Sequence, residues 1–297
     1  MSATRAATYP VELQELVDDY LAGLRFAAGE SGRGMERLEE AMRYSLLAGG
    51  KRIRPVLALA TAEALGREPR NVLPLAAALE MVHTYSLIHD DLPAMDDDEL
   101  RRGKPTCHVA FGEDVAILAG DGLFAEALRL ALSDQEGEPA NVLGAVRELV
   151  SAASVRGMVG GQFLDVEGAA ELDLRRLHEL KTGALIAASV GCILALADPD
   201  GPATIPLRRF AAELGVVFQI VDDILDVTGD EAELGKPRGS DERHGKATYM
   251  SVYGLERARE LAVESNARAR DALAEAEADA DVTKLHQIAD HILTRTT

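Results

Sequence analysis

The chain has 297 residues, 47% of them apolar and 27% charged, with a formal net charge of −19. That apolar share supports a real core, while the acidic balance opposes non-specific binding to nucleic acid or anionic membrane surfaces, because no dense basic block offsets it. An anionic ligand would have to be met through cations. Cys107 and Cys192 stand far apart and outside any Cys-x-x-Cys spacing. No disulfide framework or zinc site is expected, and a cytoplasmic location is.

Windows rich in Ala, Leu, Glu and Arg with three-and-four spacing run through the chain, and alternating β-branched stretches between tight turns are missing. An all-α fold is expected. No apolar signal core follows the first residues, so no secretion signal is expected. Leu13, Leu16, Val17, Tyr20, Leu21 and Leu24 mark the first helix. After a break at Gly29 to Gly34, Gly49-Gly50-Lys51-Arg52-Ile53-Arg54-Pro55 sets three cations between a glycine pair and a proline. Glycines let backbone approach a phosphate, an arginine fork grips its oxygens and lysine adds a point charge, which makes a compact anion clamp.

Past a break at Gly66 to Pro74, a helix carries His83 to Asp90. Seven residues apart, the two lie within about 20° of one stripe and roughly 10 Å apart along it, which places His83 to hydrogen-bond a second anionic substrate. A core histidine satisfied by a carbonyl is the other reading. In Asp90-Asp91-Leu92-Pro93-Ala94-Met95-Asp96, Pro93 disturbs the helix and Asp96 is expected to fold back toward Asp90. Arg101, Arg102 and Lys104 form a second basic set just downstream.

After a break at Asp134 to Asn141, Lys181-Thr182 interrupts an otherwise apolar helix over Leu180 to Leu196, as Gln219 does between Phe218 and Ile220. Buried polar groups need partners or a purpose, so these residues are either satisfied structurally or line a cavity. The longest uncharged apolar stretch, Ala184 to Ala197, is shorter than the about 20 residues that span a bilayer and reads as a buried core helix. Leu207, Phe210, Leu214, Val217, Phe218 and Val221 then mark a helix ending in Asp222-Asp223-Ile224-Leu225-Asp226. Asp222 and Asp226 lie roughly 40° apart with Asp223 beside them. Carboxylates so packed repel and take up protons unless a cation joins them, which points to magnesium.

The two acidic clusters share a register. Asp98-Glu99 and Asp230-Glu231 recur at one offset, and Gly103-Lys104-Pro105 and Gly235-Lys236-Pro237 at another. Each cluster opens into a Gly/Pro/charged loop, Arg101 to Gly112 and Gly229 to Thr248, of the kind that serves as a lid. The last fifth, Leu255 to Ile292, reads as one or two solvated surface helices.

From about Tyr44 to Tyr249 these motifs resemble the trans-isoprenyl diphosphate synthases, or polyprenyl synthetases. Gly49 to Pro55 looks like that family's isopentenyl diphosphate clamp. Ser86-Leu87-Ile88-His89, the first aspartate motif and Arg101 to Thr106 look like its allylic-substrate site, and Phe218-Gln219 with the second motif, Lys236 and Gly245-Lys246 complete the set. The spacing between Asp91 and Asp96 is similar to that of bacterial farnesyl and type II geranylgeranyl diphosphate synthases; Val221 stands where a polar residue is frequent.

The resemblance implies a single-domain bundle of long helices over 1–297, of the isoprenoid-synthase type around a central substrate cavity, with 1–10 flexible. It implies head-to-tail condensation of isopentenyl diphosphate with dimethylallyl and geranyl diphosphates to farnesyl diphosphate, or alternatively to geranylgeranyl diphosphate. Three Mg²⁺ ions are implied, two on Asp90 and Asp96 with Asp91 close by, the third on Asp222 with Asp223 and Asp226. Arg101, Lys181, Lys236 and Lys246 would stabilise the leaving diphosphate. Lys181, Thr182 and Gln219 would face the allylic cation, and Lys51, Arg54, His83 and Arg102 would hold isopentenyl diphosphate. Tyr85 and Ser86 are the candidates for setting product length. A homodimer working on small isoprenyl diphosphates is implied, with no nucleic acid and no stable membrane insertion. Three rivals fit less well: a terpene cyclase would not need the basic clamp, a silent regulatory subunit would not keep both acidic motifs, and a calcium buffer would not need the paired basic clusters.

Overall fold

In the computed structural model, which describes residues 9–27, 32–168, 174–197, 199–229 and 246–294, the periodic windows are helices. They run in the order α1 (Val11–Gly23), α2 (Glu36–Leu46), α3 (Ile53–Ala64) and α4 (Leu73–Asp90). A two-residue ladder, β1 (Leu100–Arg101) with β2 (Lys104–Pro105), leads to α5 (Cys107–Phe111), α6 (Glu113–Ser133), α7 (Pro139–Ala153) and α8 (Met158–Val166). α9 (Leu174–His178) passes through a π-helical turn (Glu179–Gly183) into α10 (Ala184–Ala197), and α11 (Thr204–Thr228), α12 (Tyr249–Ala276) and α13 (Thr283–Thr294) follow.

α10 is the hub because it is apolar almost all round. Leu185, Ile186, Val190, Ile193 and Leu194 have no exposure, and the helix packs against α3, α4, α7 and α11. The continuous rod Leu174–Ala197 is long and apolar enough to cross a bilayer, yet here protein covers its apolar length, as expected of a core helix. α4 lies along α6, and α11 along α12. Backbones come close where Gly215 of α11 crosses the π turn: a Cβ on Gly215 would sit 2.9 Å from the Cα of Gly183.

Two expectations change. The final helices are not simply solvated surface, since Ala258, Ala262, Ala269, Ala272 and Ala276 form a buried stripe of small side chains that lets α12 lie closely along α11. The all-α pattern also contains the small ladder, with register Leu100↔Pro105 and Arg101↔Lys104. Its turn residues, Arg102 and Gly103, both have positive φ (53° and 72°), the geometry whose twist suits a two-residue hairpin. That turn aims two arginines at the site.

Candidate active site

α4 and α11 both pack on α10, and their acidic C-terminal ends reach a shared cavity of about 610 Å³. α3, α8, His178 of α9, Met95 in the loop after α4, the hairpin, the π turn and the segment 246–248 entering α12 supply the rest of its lining.

Past Asp90 the chain leaves the helix and turns back, so that the Asp96 N–H donates to the Asp90 carbonyl at 2.9 Å, the return expected from Pro93. Asp90 lines the cavity, where burial pushes its carboxyl up to about 6; Asp96 adds to the rise, and Lys181, Arg101 and Lys246 oppose it. Lys246 Nζ reaches Asp96 Oδ2 at 2.7 Å. Asp91 behaves differently. It is 3% exposed and takes Arg101 in a fork, Nε to Oδ1 at 2.8 Å and to Oδ2 at 2.9 Å. Burial alone would weaken the guanidinium charge, but the hydrogen bonds to Asp91 outweigh it.

On α11, Asp222 is exposed toward the cavity, while Asp223 and Asp226 are buried. Asp223 accepts from Gln219 Nε2 at 2.6 Å and from the Tyr249 N–H at 2.7 Å, so it caps the start of α12 together with Thr248, whose hydroxyl accepts from Ser251 N at 3.0 Å. Lys181 and Thr182 enter the cavity from the π turn, a loosened helical geometry that recurs at functional sites. Lys181 Nζ pairs with Asp165 Oδ2 of α8 at 2.5 Å. Gly161 permits that approach, since a Cβ there would meet Lys181 N at 2.2 Å.

The third wall is basic. Arg54, 8% exposed, holds its guanidinium 5.8 Å over the Phe218 ring, and burial pushes its pKa down to about 10. Its Nε is buried and has no partner among the described residues. His83 lies beside it, and burial with the charges of Arg54, Arg102, Arg101 and Arg52 holds its pKa well below the ordinary range. The imidazole is neutral and able to donate at one nitrogen. Arg102 donates to the Gly49 carbonyl, and Gly50 has φ +119°, a backbone conformation that favours glycine.

The cavity thus gathers Arg54, His83, Tyr85, Ser86, Asp90, Arg101, Arg102, Lys181, Thr182, Gln219, Asp222 and Lys246. Asp96 joins them through Lys246. Three expected residues are placed otherwise. Asp91 is turned onto Arg101, because one residue past Asp90 a side chain points about 100° away. Asp226 is buried in α11 below Asp222, and Lys51 is exposed and outside the lining. Lys236 lies outside the described residues, with the whole second Gly-Lys-Pro. Sequence reasoning missed Asp165, Gln162 and His178, which also line the cavity. His178 stacks on Tyr249 with ring centroids 5.5 Å apart, and burial pushes its pKa down to about 4. Only the glycines before Gln162 hinted at a close backbone approach.

Among the described residues, no three carboxylate, imidazole or thiol side chains converge on one point. The donors are carboxylate oxygens on two walls, a set that suits a hard dication completing its shell with water and phosphate oxygens. The Asp90 carboxyl is raised by burial and further by Asp96, and such an ion would favour its charged form.

The family description "polyprenyl synthetase" matches residues 35–289. The chain is 49% identical over 233 residues to the farnesyl diphosphate synthase of Geobacillus stearothermophilus, covering 76% of this chain and 78% of that one. It is 48% identical over 242 residues to a chloroplastic geranylgeranyl pyrophosphate synthase of Capsicum annuum, covering 80% and 66%. Its fold matches a geranyltransferase from Helicobacter pylori, solved with magnesium and isoprenyl diphosphate, with TM-score 0.79, 32% identity and coverage of 99% and 96%. With motifs, fold and cavity in agreement, the chain belongs to the polyprenyl synthetase family.

Proposed function

We propose that the chain is a short-chain prenyltransferase that joins isopentenyl diphosphate head to tail to dimethylallyl and geranyl diphosphates, with farnesyl diphosphate as product. Geranylgeranyl diphosphate is the second reading, favoured by the Capsicum annuum relative. One observation carries the proposal: two acidic helix ends and a separate basic wall line a single cavity. A cyclase ionises one diphosphate and has no use for the second cationic group.

Asp90 and Asp96 would hold two Mg²⁺ ions and Asp222 a third, with Asp226 buried beneath it. Bound magnesium supplies charge that makes diphosphate a good leaving group. Arg101 held by Asp91, Lys181 held by Asp165 and Lys246 held by Asp96 place three more cations around it. Lys236 is proposed as a fourth. The allylic cation forms against the Thr182 hydroxyl, the Lys181 carbonyl and the Gln219 amide, whose oxygens face positive charge. Arg54, Arg102 and His83, with Lys51 at the rim, hold isopentenyl diphosphate while its alkene attacks, and released diphosphate takes the final proton. Tyr85 bounds the channel beyond Ser86, its ring edge-on to Phe124 of α6 at 5.1 Å.

A cytoplasmic homodimer belongs to the same proposal. Exposed Val109, Ile117 and Leu118 on α5 and α6 support a second copy as partner, and both cysteines are free and buried. The test incubates pure protein with labelled isopentenyl diphosphate, Mg²⁺ and each of the C5, C10 and C15 allylic diphosphates. Extension of the first two to C15 supports the reading, a C20 product selects the alternative, and no extension rejects prenyl transfer.

A further inference from the structure

Three consecutive carbonyls ahead of α3 are each tied to a different part of the fold. Gly49 O accepts from the Arg102 guanidinium, Gly50 O from Gln14 Nε2 at 3.1 Å, and Lys51 O from the Tyr9 hydroxyl at 2.6 Å. Arg52 follows, 4% exposed, giving Nε to Asp18 at 2.9 Å, Nη1 to Glu80 at 2.8 Å and Nη2 to Leu46 O at 2.8 Å. The backbone here is unusual: φ is +88° at Gly49, +119° at Gly50 and +51° at Arg52. A left-handed arginine is strained and persists only where its surroundings over-determine it.

Three of those ties come from the first described segment. Gln14 and Asp18 stand one helical turn apart on α1, so both side chains face the loop, and the Tyr9 ring packs at a tilt of 42° on His291 of α13 with centroids 4.7 Å apart. None of the three lines the cavity.

We propose that Tyr9, Gln14 and Asp18 are positioning residues for the isopentenyl diphosphate subsite: they hold the loop 49–52 so that Lys51 and Arg54 present their charges to that substrate. The inference rests on the reading of Lys51 and Arg54 as its clamp. Loosening the loop weakens the grip on one diphosphate and leaves both aspartate walls as they are. The Michaelis constants for the two substrates therefore separate.

The test uses Tyr9→Phe and Gln14→Glu, which keep shape and remove the donor, with Lys51→Ala and Arg54→Ala as controls; each is assayed for kcat, both KM values and melting temperature. Each positioning variant is expected to raise KM for isopentenyl diphosphate about fivefold, the equivalent of one neutral hydrogen bond of about 1 kcal/mol, with the allylic KM and melting temperature near those of the parent. If the controls raise that KM and the positioning variants do not, the inference falls and the clamp stands. A parallel rise in both KM values with a lower melting temperature also overturns it, since the contacts then serve only the fold. Controls that leave the isopentenyl KM unchanged remove the clamp reading itself, and the inference with it.

Discussion

Lys246 Nζ lies 2.7 Å from Asp96 Oδ2, so the segment entering α12 reaches the loop after α4. The pair joins parts of the chain 150 residues apart, and both side chains are largely buried, at 17% and 18% exposed. In the proposed reaction Asp96 would hold magnesium, and the Lys246 ammonium would be left to face the diphosphate. Lys246→Met keeps the bulk and removes the charge. It is expected to lower kcat roughly 10- to 100-fold, the loss of one charged contact of about 1.5–3 kcal/mol, with an unchanged circular dichroism spectrum. Steady-state kinetics at saturating Mg²⁺ checks it.

Tyr85, the proposed floor of the channel, lines the cavity edge-on to Phe124, and burial pushes its phenol up to about 12, so the ring is neutral. Tyr85→Ala opens space beyond Ser86 and is expected to lengthen the product. Mass spectrometry of the extracted diphosphates decides, and an unchanged C15 product removes Tyr85 as the floor.

Gly161 allows α8 to lie against the backbone of Lys181. Gly161→Ala places a methyl 2.2 Å from Lys181 N, so α8 or the π turn must shift. The expected cost is about 1–3 kcal/mol of stability, together with loss of the Lys181–Asp165 pairing and of turnover. Denaturant melts read the first and kinetics the second.

The contact between α11 and α12 carries a pH signature. Burial would raise the Glu213 carboxyl, but hydrogen bonds from Arg268 and Ser265 and the charge of Arg175 outweigh it and hold the pKa below the ordinary value. A carboxylate depressed in the folded state adds stability above its unfolded pKa of about 4.3, and that stability is lost as pH falls through the lower folded value. Glu213→Gln is therefore expected to cost about 1 kcal/mol at pH 7 and almost nothing near pH 3. Urea melts at both pH values measure the difference.

Much of the site was legible in the sequence, for reasons particular to each residue. Asp90, His83 and Ser86 share the inner face of α4 by helical arithmetic, and the return of Asp96 follows from Pro93. The same arithmetic separates Asp91 from Asp90, but only the fold shows that Arg101 waits for it. Arg52 looked like part of the anion clamp; its left-handed backbone turns it inward to Asp18 and Glu80, a choice no local pattern records. Asp165 lies on a short helix without register to either acidic cluster, so its pairing with Lys181 depends on tertiary packing through Gly161. The alanine stripe of α12 read as solvated because alanine suits both exposed and tightly packed faces.

The central claim is that the ends of α4 and α11 act together on one diphosphate. Its most direct test is turnover of labelled isopentenyl diphosphate by Asp90→Ala and Asp222→Ala, with the fold checked by circular dichroism. Each variant is expected to remain folded and to lose at least about 100-fold in kcat, because each removes electrostatic support for the leaving group. Near-parental turnover in either variant would contradict the claim.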